Sequence, residues 1–537
     1  MNMDLKKLIE ALSQPYTALR GLVVSERGVV GTAHPLASAT GAGILRSGGN
    51  FIDAALAVSA VLNVVEPYNS HLGGDAFMLV YTESDGELTA VNSSGPAPRS
   101  ASLGDFHEGV PIRGMASASV PGQVGAWELI HERYATMEWS ELLAPSIRYA
   151  REGFPVNPRF AEAIRGAYQG LEDPEWRRTF LPKGRPPKVG ERFTQDDLSR
   201  SLQSLADGGP REFYEGKIAE DIVEHSNRAG GFFSSEDLGS YRAESTEPIE
   251  TTYRGYTVYE QPPVSQGHIL LEELNIVEGY DLSSLDPAGT DAVHLLVEAK
   301  KLAFEDRYRY SGDPEFVDLP MDRIISKGHA ADRREMIDPL RSERRYGAGG
   351  CGEGDTTYFA VADSEGNGVS FIQSLFHGFG SGVVVPRTGI ILNNRMTGFS
   401  LDPSSPNVLR GGKRTIHTLN TYMVFHEDGP LFIGGTPGGD TQVQTNLQIV
   451  TRLLDWGMNV QDAIEFPRWA SGESTDLQLE SRYQADTVRE LVSRGHDVGT
   501  VGPWSGNGSV QLIMRHPETG AMIAGSDPRC DGMAVGI

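Results

Sequence analysis

Cysteine is almost missing from this chain: 537 residues contain two, Cys351 and Cys530. That excludes a disulfide framework, and the paired spacings of a cysteine zinc site are absent, so two free thiols and no metal are expected. Positive charge is also scarce. Forty-seven Lys and Arg face 72 Asp and Glu, a formal net charge of -25, which argues against nucleic acid or an anionic membrane as partner. Long apolar runs are lacking too. Phe51 to Val65 is the longest, carries Asp53 and Asn63, and is too short to cross a bilayer. Met1 to Gln14 holds acidic residues and no apolar h-region, so it does not read as a secretory signal and a cytoplasmic location is expected. No phosphate-cradling glycine motif is present, and no cofactor is expected.

Glycine is abundant instead, at 63 residues, which points to tight turns and close backbone approaches. Residues 23–35 read as strand and turn. Leu36 to Arg46 reads as a helix stopped by Ser47-Gly48-Gly49, and Asn50 as the cap of the next helix, whose face is Ala54, Ala55, Val58 and Leu62. Leu72-Gly73-Gly74-Asp75 is a turn before the strand Ala76–Tyr81, and Asp75 and Asp440 read as turn residues. Residues 122–153 and 291–310 predict long amphipathic helices, whereas 180–195 and 312–321 are Pro-rich loops. Residues 357–362, 368–373, 389–393, 421–425 and 431–433 are short β-type runs, followed by helical patterns at 441–455 and 486–494. Strands first and helix next suit sheets covered by helices.

The segment Gly347–Gly354 has five glycines in eight residues and ends at Asp355-Thr356-Thr357, just before a strand. A threonine hydroxyl needs an adjacent base to act as a nucleophile. An α-amine on the same residue supplies one, with a pKa of roughly 8 against ~10.4 for lysine. To free that amine, the hydroxyl must attack the preceding carbonyl, giving an ester that water opens. By itself a glycine loop before a Thr-rich strand is more often only a loop.

A series of phrases spread along the chain changes the weighting. They run from Gly48-Gly49-Asn50 and Asp53-Ala54-Ala55 through Glu66-Pro67, Leu72-Gly73-Gly74, Val120-Pro121-Gly122 and Pro262-Pro263. Asp306-Arg307, Gly312-Asp313-Pro314, Thr356-Thr357, Leu392-Asn393-Asn394, Pro437-Gly438-Gly439 and Ser526-Asp527-Pro528-Arg529 continue it. In this content and order the chain resembles the gamma-glutamyltranspeptidase family from about Gly28 to Ile537. The resemblance implies an α+β fold, the four-layer αββα sandwich of N-terminal nucleophile hydrolases. It also implies self-cleavage between Asp355 and Thr356 into segments 1–355 and 356–537 that stay associated. Thr356 matches the nucleophile, Gly438 and Gly439 the oxyanion amides, and Ser374 the hydroxyl that supports the nucleophile. The substrate implied is a small-molecule amide, cleaved by hydrolysis or acyl transfer.

Several substrate-reading positions differ from the family's pattern. Ser94 stands for the arginine that holds the substrate α-carboxylate, and Phe376 for an asparagine. Arg395 and Gly398 replace the glutamine and aspartate that follow Asn393-Asn394, and His417 and Thr418 replace two serines. Exchanging Asp for Arg inverts the charge preference, so an acyl chain with a carboxylate and no nearby amine is expected, such as a glutaryl or other dicarboxylic monoamide or an oxamate-like acid. Arg99 is a spare cation that could replace the missing arginine from a shifted position. Substrate contact is therefore expected from Ser94, Phe376, Asn394, Arg395, His417 and Thr418. Rival readings fare worse: Gly378–Gly382 is not Gly-x-Ser-x-Gly, and His131-Glu132 lacks a second histidine. A non-catalytic binding relic of the same fold stays open.

Overall fold

A computed structural model describes residues 18–343, 355–427 and 429–537. The expectations for Met1–Gln14, Gly347–Gly354 and Cys351 fall outside them.

Two seven-stranded sheets form the centre. One runs in the order Met533–Gly536, Gly28–Thr32, Asp355–Asp363, Gly368–Phe376, Asp75–Thr82, Glu87–Ser93, Glu244–Thr246. The other runs Val23–Ser25, Met522–Ser526, Gln511–Arg515, Gly429–Gly435, Thr421–His426, Tyr256–Glu260, Ile249–Tyr253. Side chains alternate across a strand, and the Asp355–Asp363 strand shows what each face meets. Tyr358 and Ala360 enter a core shared with Phe77, Ile372, Met423, Ile433 and Ile513, which lies between the sheets. Phe359 and Val361 enter a second core with the helix Phe51–Val65. A third core holds Gly267–Val277, Thr290–Tyr310 and Thr441–Leu454 against the other sheet. The layers are helix, sheet, sheet, helix: the expected αββα sandwich.

A strand buried on both faces reads as a nearly continuous apolar run, which is why Asp75–Thr82 and Thr357–Val361 are recognisable from sequence. The helix Phe51–Val65 is buried all round. Asn50 accepts from Ile52 N and Asp53 N while Asp53 accepts in return from Asn50 N, a complete capping box.

Two expectations need correction. Residues 122–153 form two helices, Gln123–Tyr134 and Trp139–Glu152, rather than one. The Asp53 carboxylate draws the chain out of the helix between them by accepting from Thr136 N and Met137 N at 3.0 and 3.1 Å. The run 389–393 shrinks to Ile390–Ile391, paired with Val384–Val385, because Asn393 leaves to bond Gly73 and Ser119.

Candidate active site

The antiparallel pair Asp355–Asp363 and Gly368–Phe376 carries a bulge at its open end. Thr356 faces Ser374, but Asp355 faces Phe376, so Leu375 is the extra residue. Its amide bonds Asn69 O at 3.0 Å instead of the sheet. Bulges of this kind re-aim side chains near strand ends. Here Thr356 Oγ1 donates to Ser374 Oγ at 3.0 Å, and Ser374 Oγ donates to the Asp355 carbonyl at 2.8 Å. Phe376 N donates to the same serine oxygen at 2.8 Å. A single hydroxyl thus touches both Thr356 and the carbonyl that precedes it.

Thr356 lines a cleft of about 790 Å³, together with Asp355, Arg113, His377, Gly438, Glu66 and Cys530. Gly438 and Gly439 have φ of +136° and +57°, the region that favours glycine. They turn the chain between the strand Gly429–Gly435 and the helix Thr441–Leu454. Arg113 binds the Gly378 carbonyl at 2.7 Å and also Gly380 O, so it shapes the cleft rim. Burial and the nearby Arg395 charge lower His377, whose Nδ1 lies 2.9 Å from Asn394 Nδ2. Asn394 also donates to Ile112 O and accepts from His377 N. Its amide is fully engaged in tying two loops of the rim.

The other expected substrate contacts gather behind the cleft wall, around a residue the sequence reading assigned to a turn. Asp75 opens its strand, fully buried, and lies opposite Ser374. Gly74 must be glycine, because a Cβ there would stand 2.4 Å from the Ser374 carbonyl. Asp75 Oδ2 accepts from Arg395 Nε at 3.3 Å and lies 3.3 Å from His417 Nε2, while Oδ1 accepts from Gly95 N at 3.3 Å. Asp75 is therefore a member of a charged cluster, and its carboxylate screens Arg395. Burial lowers Arg395 to about 10, against the pull of Asp75. Burial and then Arg395 lower His417 to about 4, so its ring is neutral. The Phe376 ring covers the guanidinium at 4.1 Å.

Arg395 Nη1 and Nη2, His417 Nδ1 and Thr418 Oγ1 are buried without a hydrogen-bond partner among the described residues. Ser94 is different: its amide and hydroxyl both bond Asn92 Oδ1. Arg99 is no spare cation, since it pairs with Glu236 at the surface. Asp440 lies in the turn before the helix Thr441–Leu454, as expected, and its side chain also accepts from Arg307 at 2.7 Å. Gln266, which drew no attention in the sequence, links two parts of the site by donating to Thr418 O at 2.7 Å and Gly439 O at 3.2 Å.

Comparison with known proteins adds four findings. The sequence profile of the gamma-glutamyltranspeptidase family matches residues 37–537. The glutathione hydrolase-like YwrD proenzyme of Bacillus subtilis is 39% identical over 528 residues, 96% of this chain and 99% of its own. The oxamate amidohydrolase proenzyme of Klebsiella pneumoniae is 36% identical, over 96% of this chain and 99% of its own. Among solved structures, a cephalosporin acylase from Bacillus halodurans superposes with a TM-score of 0.92 at 38% identity, covering 98% of each chain.

Proposed function

The chain belongs to the gamma-glutamyltranspeptidase family of hydrolases, and from that premise we propose that it cuts itself before Thr356 and then hydrolyses an amide whose acyl chain bears a carboxylate. Self-cleavage is supported by the Ser374 hydroxyl, which bonds both the Thr356 oxygen and the Asp355 carbonyl. That bond polarises the carbonyl toward attack by Thr356 Oγ1. The Thr356 hydroxyl proton passes to the peptide nitrogen, which leaves as the amine of Thr356, and water then opens the ester to give the Asp355 carboxylate and the free hydroxyl. In the second reaction that amine takes the Thr356 hydroxyl proton as the oxygen attacks the substrate. Backbone amides of Gly438 and Gly439 meet the oxyanion, and the proton passes to the departing amine. Water repeats the sequence on the acyl-enzyme.

The acyl specificity rests on one observation: Arg395 is buried, held through Nε by Asp75, with Nη1 and Nη2 unpartnered among the described residues. A guanidinium fixed at one edge offers its other two nitrogens as a fork for a carboxylate. Thr356, Ser374 and Asp75 face one another on three successive strands, so the fork lies roughly 10 Å from Thr356, two strand spacings away. Phe376 covers Arg395 in the uncut chain, with a φ of +84° that a bulky residue adopts at a cost of about 1–2 kcal/mol. Its strand partner is Asp355, and cleavage removes that pairing and lets the ring move. The oxamate amidohydrolase among the relatives agrees with this reading, since oxamate is an amide whose acyl side bears a carboxylate.

Asp75 favours a second reading. With a carboxylate beside Arg395, a gamma-glutamyl group could place its ammonium on Asp75 and its carboxylate on the guanidinium. The test is hydrolysis of glutaryl, gamma-glutamyl and butyryl p-nitroanilides by the processed protein. Glutaryl is expected to exceed butyryl by at least tenfold. Equal rates for these two would overturn the carboxylate reading, and a gamma-glutamyl rate above glutaryl would select the second one.

A further inference from the structure

Glu66 is the C-cap of the helix Phe51–Val65 and is 3% exposed. A carboxylate there faces the negative end of the helix dipole, a poor place for a residue that serves only to fill space. Its Oε2 accepts from Thr357 Oγ1 at 2.9 Å, and the residue lines the same cleft as Thr356. The turn that follows it is tied to the bulged strand and its loop by the Leu375 N–Asn69 O and Phe379 N–Tyr68 O bonds. Glu66 is thus joined to the Thr356 strand by its side chain, and the turn it opens is joined to the opposite strand by the backbone of Asn69.

We propose that Glu66 is a positioning residue for the catalytic amine: through Thr357 it fixes the new amino terminus, and its carboxylate charge holds the Thr356 ammonium. The proposal rests on the reading of Thr356 as the self-generated nucleophile. Covalent geometry places the Glu66 carboxylate within about 10 Å of Thr356 N. A unit charge at that distance, partly shielded, raises an amine by roughly half to one pH unit. The groups around Glu66 are Tyr68, Arg159, Cys530 and Asp531. Arg159 and Asp531 lie 3.6 Å apart and largely offset each other. Burial raises Tyr68 and Cys530, so both stay uncharged near neutrality. Across the cleft, His377 is lowered and neutral, and Arg113 is bound to carbonyls. Burial raises Glu66 itself to about 7, partly opposed by its bonds from Thr357 and Asn69. Its charge therefore appears over the pH range in which an α-amine becomes a base.

The experiment uses the full chain after self-cleavage. Competitive labelling with acetic anhydride across pH 5–10, read by mass spectrometry of the Thr356 peptide, gives the amine's titration without any substrate. Glu66→Gln keeps an acceptor for Thr357 and is expected to lower the midpoint by about half to one pH unit. Thr357→Val removes the bond that helps keep the carboxyl ionised, and is expected to move the midpoint the same way by less. Glu66→Asp keeps the charge and is expected to stay nearer the wild type than Glu66→Gln. Superimposable curves for wild type and Glu66→Gln overturn the proposal. Absence of any chain beginning at Thr356 in the wild type instead overturns the reading of the nucleophile.

Discussion

Arg395 donates through Nε to Asp75 Oδ2 at 3.3 Å, and the two side chains are 1% and 0% exposed. Removing the carboxylate strands a buried cation, which costs roughly 3–5 kcal/mol. Asp75→Asn is therefore expected to lower stability by about 3 kcal/mol, and Asp75→Asn with Arg395→Met to recover most of it. Chemical denaturation of the two variants checks this; equal losses in both would mean that the pair is not coupled.

On the proposed specificity, Arg395→Met should raise KM for glutaryl p-nitroanilide by about ten- to a hundredfold, the worth of one charged hydrogen-bonded contact. Butyryl p-nitroanilide should be unaffected. A parallel loss on both substrates would place the effect on the fold rather than on carboxylate recognition.

Thr356→Ala should yield one full-length band on a denaturing gel, and Ser374→Ala should slow the appearance of two bands at least tenfold. The uncut Thr356→Ala chain, with Phe376 over Arg395, is expected to bind glutarate more weakly than the processed protein by calorimetric titration. Equal affinity would show that Phe376 does not restrict the site.

Gly438→Ala meets two obstacles: a φ of +136° and a Cβ 2.5 Å from Thr441 Oγ1. If the amides of this turn hold the oxyanion, kcat should fall by about 10²–10³ with KM changed by less than threefold. A pure rise in KM would assign the turn to substrate binding instead.

Stability should narrow from both sides of neutrality. Burial lowers His34, His268 and His417 to about 4 and His71 to about 3. The unfolded chain, with ordinary histidines near 6.5, takes up protons first, so stability falls as pH drops from about 6.5 toward 4. Burial raises Glu273 to about 8, so the folded state holds its proton longer and stability falls as pH rises from about 4.5 toward 8. Melting temperatures measured from pH 4 to 9 check both limbs. Glu273→Gln should flatten the alkaline one.

The local features were legible because local chemistry sets them. Asn50 and Asp53 are three residues apart and cap one helix, and the apolar strands announce their burial on both faces. Ser374 was assigned from the family pattern, and its contact with Thr356 follows from strand pairing. Asp75 was not legible. Its neighbours Gly73 and Gly74 suggest a turn, while its partners Arg395, on the short helix Arg395–Gly398, and His417, on a loop, lie more than 300 residues away and meet it only once the chain has folded. The break between Tyr134 and Trp139 was hidden for the same reason, since the acceptor that causes it is Asp53, on another helix.

The sheet order has a last consequence. Asp355–Asp363 and Gly368–Phe376 lie between Gly28–Thr32 and Asp75–Thr82, so a cut before Thr356 leaves central strands from one product laced between strands of the other. No dissociation constant then describes the pair in any useful sense. Dilution would have to pull a sheet apart strand by strand, and the two polypeptides are expected to melt together, in a single transition, as though the chain had never been opened.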